Sequence, residues 1–253
     1  MYNCGVINEK KGVYMINKIK IILVRHGQSI GNQTRVFLGH TDLDLSELGY
    51  KQANATAEYL KNEKIDKIYS SDLIRAYNTA LPHAKIRNMQ VIPNKNLREA
   101  YVGSWEGMNV DDIIEKWGRE VFVDQWKNNF GLFSFPGGES IKGAGERFYN
   151  EILSICNDIS LNTAHNYHKS ANNGDAERHN DEITILIASH AAVIRSFWSI
   201  ISDVAFDELA DKIPFPTNAS YSVCYYEKGK ITPFSYSNDD HLFDVGITKV
   251  NLV

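Results

Sequence analysis

Two runs of aliphatic and β-branched residues, Ile19-Lys20-Ile21-Ile22-Leu23-Val24 and Ile183-Thr184-Ile185-Leu186-Ile187-Ala188, each stop at a histidine. The first gives way to Arg25-His26-Gly27-Gln28-Ser29 and then Asn32, the second to Ser189-His190-Ala191. Short apolar runs of this kind read as strands covered on both faces, as in a parallel α/β sheet. Ligands of such sheets sit beyond the carboxyl ends of the strands, so two central strands bring two histidines to one sheet edge. Gly27 carries no side chain to obstruct the backbone turn or a ligand's approach. An arginine offers a planar fork to phosphate oxygens, and a neutral imidazole beside it can attack phosphorus. One strand ending in Arg-His is equally well a surface ion pair. The second histidine weighs against that.

With 253 residues and 43% hydrophobic content, the chain can bury a substantial core. We read residues 1–18 as an N-terminal extension and 19–253 as a single domain with a polar insertion at about 160–182. A net charge of -4 and the lack of Lys/Arg runs argue against nucleic-acid or membrane-surface partners. Cys4, Cys156 and Cys224 are too few and too scattered for a disulfide framework or a thiolate metal site. No stretch approaches the roughly 20 apolar residues of a membrane span, and the first eighteen residues lack the apolar core of a secretory signal. The expectation is a cytoplasmic protein.

Between the two strands the chain alternates in α/β fashion. Ser46 is placed to cap a helix with Leu48, Ala53, Ala57 and Leu60 on one face. Ile65 to Tyr69 reads as a second strand, ending in Ser70-Ser71-Asp72 and followed by a helix that carries Arg75 in its first turn. Val91-Ile92-Pro93 suits a sheet edge, because proline cannot donate to a ladder. The loop from Leu97 to Gly107 holds two carboxylates, Glu99 and Glu106, and composition does not choose between them as a proton donor. The aromatic stretch 117–136 reads first as core and second as a substrate lid. A helix from the turn at Pro136 to Ser140 is expected to reach about Ile159. His165, His168 and His179 in the insertion fit no standard ligand spacing, which favours a solvated loop over a metal site. Tyr221 to Tyr226 and Ile231 to Phe234 read as a terminal hairpin, and the tail beyond is uninformative.

Arg25-His26-Gly27-Gln28-Ser29 with Asn32, Ser70 to Ala76, Leu97-Arg98-Glu99 with Gly103 and Trp105-Glu106-Gly107, Pro136 to Ser140, and Ser189-His190 together resemble the histidine phosphatase superfamily, also called phosphoglycerate mutase-like. The resemblance runs from Ile19 to about Ser237. It implies a three-layer α/β/α fold with a mostly parallel central sheet and one antiparallel edge strand. It also implies reaction through a phosphohistidine on His26, with no metal or other cofactor. Arg25, Arg75 and His190, if protonated, would surround the transferring phosphoryl group, whose charge sits on three equatorial oxygens. The far ring nitrogen of a neutral His26 should donate to a carbonyl. The family alignment selects Glu99 as the acid and leaves Glu106 a structural part. Gln28, Ser29 and Asn32 would add hydrogen bonds, and Leu38, Gly39, Tyr101 and Ala191 complete the expected substrate or phosphate contacts.

The departures from the family's mutases decide between reactions. Those enzymes carry an arginine and His-Tyr-Gly after the acid, Thr-Gly at Leu38-Gly39, a lysine near Val110, paired arginines after Trp126, and Gly-Asn after the second histidine. Here stand Ala100-Tyr101-Val102-Gly103, Lys127-Asn128 and Ala191-Ala192. The loss of those groups favours a phosphomonoesterase of the histidine acid phosphatase type, acting on a small-molecule phosphate ester. A mutase and a catalytically silent binding protein are the alternatives, and a homodimer is compatible with the sequence. A rim built from Phe37, Leu38, Tyr101, Trp105 and the 117–136 aromatics, with Lys127 and Arg119 as the nearby cations, favours an apolar body on the phosphate.

Overall fold

In the computed structural model, which describes residues 18–172 and 182–248 (side chains of 163–172 excepted), Ile19–Arg25 forms strand β1 at the middle of a six-stranded sheet. The other strands are β2 (Lys67–Ser71), β3 (Val91–Asn94), β4 (Ile183–Ser189), β5 (Tyr221–Glu227) and β6 (Lys230–Asn238), in the order β3-β2-β4-β1-β5-β6. β1 pairs with β4 in parallel, from Ile19 opposite Ile183 to Arg25 opposite Ser189. β2 and β3 continue the parallel sheet on the far side of β4. Antiparallel pairing is confined to the β5–β6 hairpin side, so the expected sheet is present. Proline-bearing β3 sits at an edge.

The helices are α1 (Ile30–Thr34), α2 (Glu47–Tyr59), α3 (Ile74–Arg87), α4 (Val110–Trp117), α5 (Ile141–Asn172) and α6 (Ala191–Ile201), with a one-turn helix at Leu209–Lys212. Because successive strand side chains point to opposite faces, β1 sends Ile21 and Leu23 into one apolar cluster and Ile22 and Val24 into another. The first cluster includes residues of α5 and α6, the second residues of α3. Burying both strand faces is what places Arg25 and His26 at the sheet's edge rather than in its middle. Ser46 caps α2 as expected, its Oγ accepting from the Gly49 N–H at 3.1 Å.

Several boundaries move. β2 starts at Lys67 rather than Ile65 and extends past Tyr69 through Ser70 and Ser71, whose side chains are fully buried. α5 does not stop near Ile159 but runs to Asn172, so the first half of the polar insertion is helix, not loop. Polarity alone does not end a helix whose preceding turns, with Ile152, Ile155, Cys156 and Ile159, are anchored in the core. The N-terminal extension, His179, and the side chains of His165 and His168 lie outside the described residues. Trp105, expected at a pocket rim, is instead fully buried among Phe133, Phe135 and Trp126. Among the described residues no helix is long and apolar enough to cross a membrane.

Candidate active site

The parallel register of β1 and β4 puts His26 and His190 side by side, ring centroids 5.2 Å apart and planes inclined by 60°. The His26 amide donates to the Ser189 carbonyl at 2.8 Å, and its own carbonyl accepts from Asn218 Nδ2 at 3.0 Å and the Ala219 amide at 3.2 Å. Its Nδ1 lies 2.7 Å from the Gly27 carbonyl. A carbonyl only accepts, so Nδ1 carries the proton and Nε2 is left with a lone pair. Gly27 has no room for a side chain: an added Cβ would overlap the Gly49 carbonyl, and that obstacle is backbone.

Burial, followed by the charges of Arg75 and Arg25, pushes the His26 pKa well below its ordinary value. Burial first, then Arg75 and His26, does the same to His190. The shift favours the uncharged form of His190. Its Nε2 is 2.8 Å from Ser71 Oγ, while Nδ1 is buried with no hydrogen-bond partner among the described residues.

Arg25 and Arg75 are both buried, and burial lowers each pKa to about 10, which leaves them charged near neutrality. Carbonyls hold them: Arg25 donates to Pro216 O at 2.6 Å, Arg75 to Gly39 O at 2.7 Å and Thr41 O at 2.9 Å. Neither is ion-paired to a carboxylate among the described residues. Glu99 acts on both through space, and Asp42 and Glu106 on Arg75, but none bonds either guanidinium directly, and two buried cations without a bonded anion are costly. That imbalance, beside an imidazole with a free Nε2, defines an anion site.

Glu99 and Glu106 separate cleanly. Glu106 accepts from the His40 amide at 2.7 Å, from the Thr41 amide at 2.9 Å and from the Thr41 hydroxyl. It thereby holds the 39–41 loop, whose carbonyls hold Arg75. Glu99 lines the cavity next to the histidines, with Oε1 accepting from the Ala100 and Val193 amides at 2.9 and 3.2 Å and Oε2 from the Ala192 amide at 3.1 Å. Those last two amides are the start of α6, where an anion meets both free N–H groups and the helix dipole.

The cavity has a volume of about 670 Å³. Gln28, Ser29, Asn32, Leu38, Gly39 and Ala191 all line it. Asn32 uses Oδ1 to accept from the Ser29 amide and Asn218 Nδ2, both at 3.1 Å, so its own Nδ2 remains to face a ligand. Ser29 also caps α1, and Gln28 Oε1 accepts from Ser46 Oγ at 2.7 Å. Tyr101 does not line the cavity. Its amide donates to Glu139 Oε2 and its carbonyl accepts from the Glu139 amide, both at 2.8 Å, an arrangement that leaves the ring exposed beside His40. Lys127 and Arg119 do not line it either, whereas Arg35, Asn218, Ile247 and Thr248 do. Asn218 was legible only as a polar residue before β5. The tail residues carry no signal, because they reach the site through hydrogen bonds with Gln52 and Asn218 that no spacing rule anticipates. Among the described residues no group of three or more His, Cys, Asp or Glu side chains is placed to share a metal ion.

The profile of the histidine phosphatase superfamily (branch 1) matches residues 21–239. Phosphoserine phosphatase 1 of Hydrogenobacter thermophilus is 32% identical over 211 residues, covering 83% of this chain and 88% of that protein. The 2,3-bisphosphoglycerate-dependent phosphoglycerate mutase of Rhizobium etli is 39% identical over 141 residues, but these cover only 53% of this chain and 65% of the mutase. The structure of Bacillus stearothermophilus YhfR superposes with a TM-score of 0.73 at 24% identity, covering 88% of this chain and 99% of that one. That of a mycobacterial glucosyl-3-phosphoglycerate phosphatase with VO3 gives 0.69 at 23%, covering 87% and 98%. These two likenesses are of fold.

Proposed function

The chain belongs to the histidine phosphatase superfamily (branch 1), and on that premise we propose that it is a metal-independent phosphomonoesterase of the histidine acid phosphatase type. It hydrolyses a small-molecule phosphate ester through a phosphohistidine on His26. In the first step Nε2 of neutral His26 bonds to phosphorus as the ester P–O bond breaks, and the departing oxygen takes a proton from the Glu99 carboxyl. In the second, water attacks phosphorus, gives a proton to the Glu99 carboxylate, and the P–N bond breaks to return neutral His26 and orthophosphate. Arg25 and Arg75 answer the charge on the equatorial oxygens throughout. The Asn32 amide supplies a further donor, and so does His190 Nδ1 when the Ser71 hydroxyl donates to Nε2 and leaves the ring proton on Nδ1. A proton on Glu99 Oε2 is compatible with the amide bond that oxygen accepts, since a protonated carboxyl keeps acceptor capacity.

The observation that carries this reading is the Nδ1-to-carbonyl bond of a buried His26 flanked by two buried guanidiniums that make no direct ion pair among the described residues. Against a mutase stands the lining: Leu38 and Val110 face the cavity where the resemblance places a threonine and a lysine in the mutases, and Lys127, at the first of the paired-arginine positions, does not line it. The mutase reading keeps support from the 39% identity to the Rhizobium enzyme over part of its length. The proposal extends to one functional domain over residues 19–253 and to the cytoplasm, in keeping with free thiols at buried Cys156 and Cys224. Steady release of orthophosphate from p-nitrophenyl phosphate, with transfer to water rather than to an added phosphoglycerate, supports it; transfer between phosphoglycerates without net release sinks it.

A further inference from the structure

Resting on that reading, we propose that the outer half of the cavity is built for a monophosphate whose organic body is apolar and carries one additional acidic group, a carboxylate, answered by Arg35. A phosphoserine-sized ester fills only a fraction of about 670 Å³; pockets of that volume suit ligands several times larger. Beyond the phosphate end the wall is apolar: Phe37, Trp126 and Phe215 line it, with Phe37 and Phe215 set 5.5 and 6.5 Å from the Trp126 ring. Phe215 is braced from behind by the buried Arg195 guanidinium, 4.2 Å from its centroid and bonded to the Ile213, Leu209 and Ala210 carbonyls. Trp126 is delivered by a π-helical segment, Val121–Lys127, closed by the Asn128 amide on the Val123 carbonyl at 3.0 Å. Such wide turns recur at functional sites, since inserting a residue re-aims a side chain.

Arg35 is the lining cation outside the phosphate end, and unlike Arg25 and Arg75 it is exposed. Among the described residues its guanidinium has no hydrogen bond or ion pair. Its backbone is fixed, because it ends α1 at φ 57° with its amide on the Gly31 carbonyl at a helix whose other end is capped by Ser29. The cation is thus tied through five helical residues to the loop that carries His26. Its guanidinium thus stands at the cavity wall apart from the buried Arg25 and Arg75, where a carboxylate on the ligand's body can meet it.

A matched pair tests this: 3-(4-phosphonooxyphenyl)propanoate and its primary amide, which share a leaving group and differ in one charge. The expected result is a KM lower for the acid by about two- to five-fold, the range of an exposed ion pair, with kcat equal for both. The preference should vanish in Arg35→Gln, persist in part in Arg35→Lys, shrink as salt rises, and survive in Arg119→Gln. Calorimetric Kd values for the corresponding non-hydrolysable phosphonates read the same ratio without turnover. Failure of every ester to release phosphate would count against the phosphatase reading, while the phosphonate ratio would still decide on Arg35. Equal affinity for acid and amide in the parent protein, or a preference unchanged in Arg35→Gln, overturns the inference.

Discussion

Replacing Glu99 by glutamine removes a proton donor while leaving most of the side chain's contacts. Oε1 keeps its bonds to the Ala100 and Val193 amides, but an amide nitrogen at the Oε2 position faces the Ala192 N–H donor to donor. That mismatch costs about 1–3 kcal/mol of stability, which a folded chain of this size tolerates. The kinetic loss is of a different kind. General acid catalysis is worth about 10²- to 10⁴-fold, or roughly 2.7–5.4 kcal/mol of barrier, and the need for it depends on the leaving oxygen. An alkyl alkoxide leaves poorly without a proton, whereas a nitrophenolate is stable as an anion. Glu99→Gln should therefore slow phosphorylation of His26 by about 10² or more with alkyl phosphates and by roughly tenfold or less with p-nitrophenyl phosphate. Because the carboxylate also serves as base in the second step, phosphohistidine should accumulate with the activated ester. Single-turnover quench measurements on both substrates separate the two steps. Glu106→Gln is the control: it loosens the 39–41 loop and with it Arg75, so its loss should be the same for both leaving groups. Equal losses from Glu99→Gln, or a leaving-group-dependent loss from Glu106→Gln, would refute the assignment of the acid.

Gly27→Ala should destabilise the protein by about 1–3 kcal/mol and impair turnover, because its Cβ meets the Gly49 backbone rather than a yielding side chain; chemical denaturation with parallel assays checks both. His83 is buried, neither ring nitrogen has a hydrogen-bond partner among the described residues, and burial pushes its pKa down to about 3. Its native form thus resists protonation while the unfolded chain takes a proton below its ordinary value near 6.5, so stability falls as pH drops through that window. His83→Leu should flatten the slope of unfolding free energy by about 1.4 kcal/mol per pH unit between about pH 6 and 4; an unchanged slope contradicts the argument. Activity should survive EDTA and be inhibited by vanadate, which adopts the geometry of the transferring group. Loss on chelation, restored by a divalent ion, would point to a metallophosphatase.

The parts of the site legible in the sequence are those that a strand end fixes. Arg25, His26 and His190 follow directly from two apolar runs, because burying both faces of a strand leaves only its end for polar groups. Arg75 follows from the strand-to-helix turn of β2 and α3. Glu99 did not separate from Glu106 by composition, since the difference lies in which backbone amides each meets: those of α6 for one, those of residues 40 and 41 for the other. Tyr101 and Trp105 were assigned to the rim because aromatic residues suit both a rim and a core; long-range bonds to Glu139 and packing against Phe133 and Phe135 decided otherwise. Arg35 escaped notice because an exposed arginine after a short helix has no sequence mark, and only the fold brings it to the cavity.

The central claim, a phosphoryl group carried on Nε2 of His26, is tested most directly by quenching the protein in alkali during turnover of p-nitrophenyl phosphate and locating the modification by mass spectrometry and phosphorus–proton NMR. The account predicts one acid-labile phosphate on His26 at Nε2, formed and lost at rates consistent with turnover, and absent from a His26→Ala variant that is folded by circular dichroism and inactive. Phosphate on another residue, or parental turnover by the folded His26→Ala variant, would contradict it.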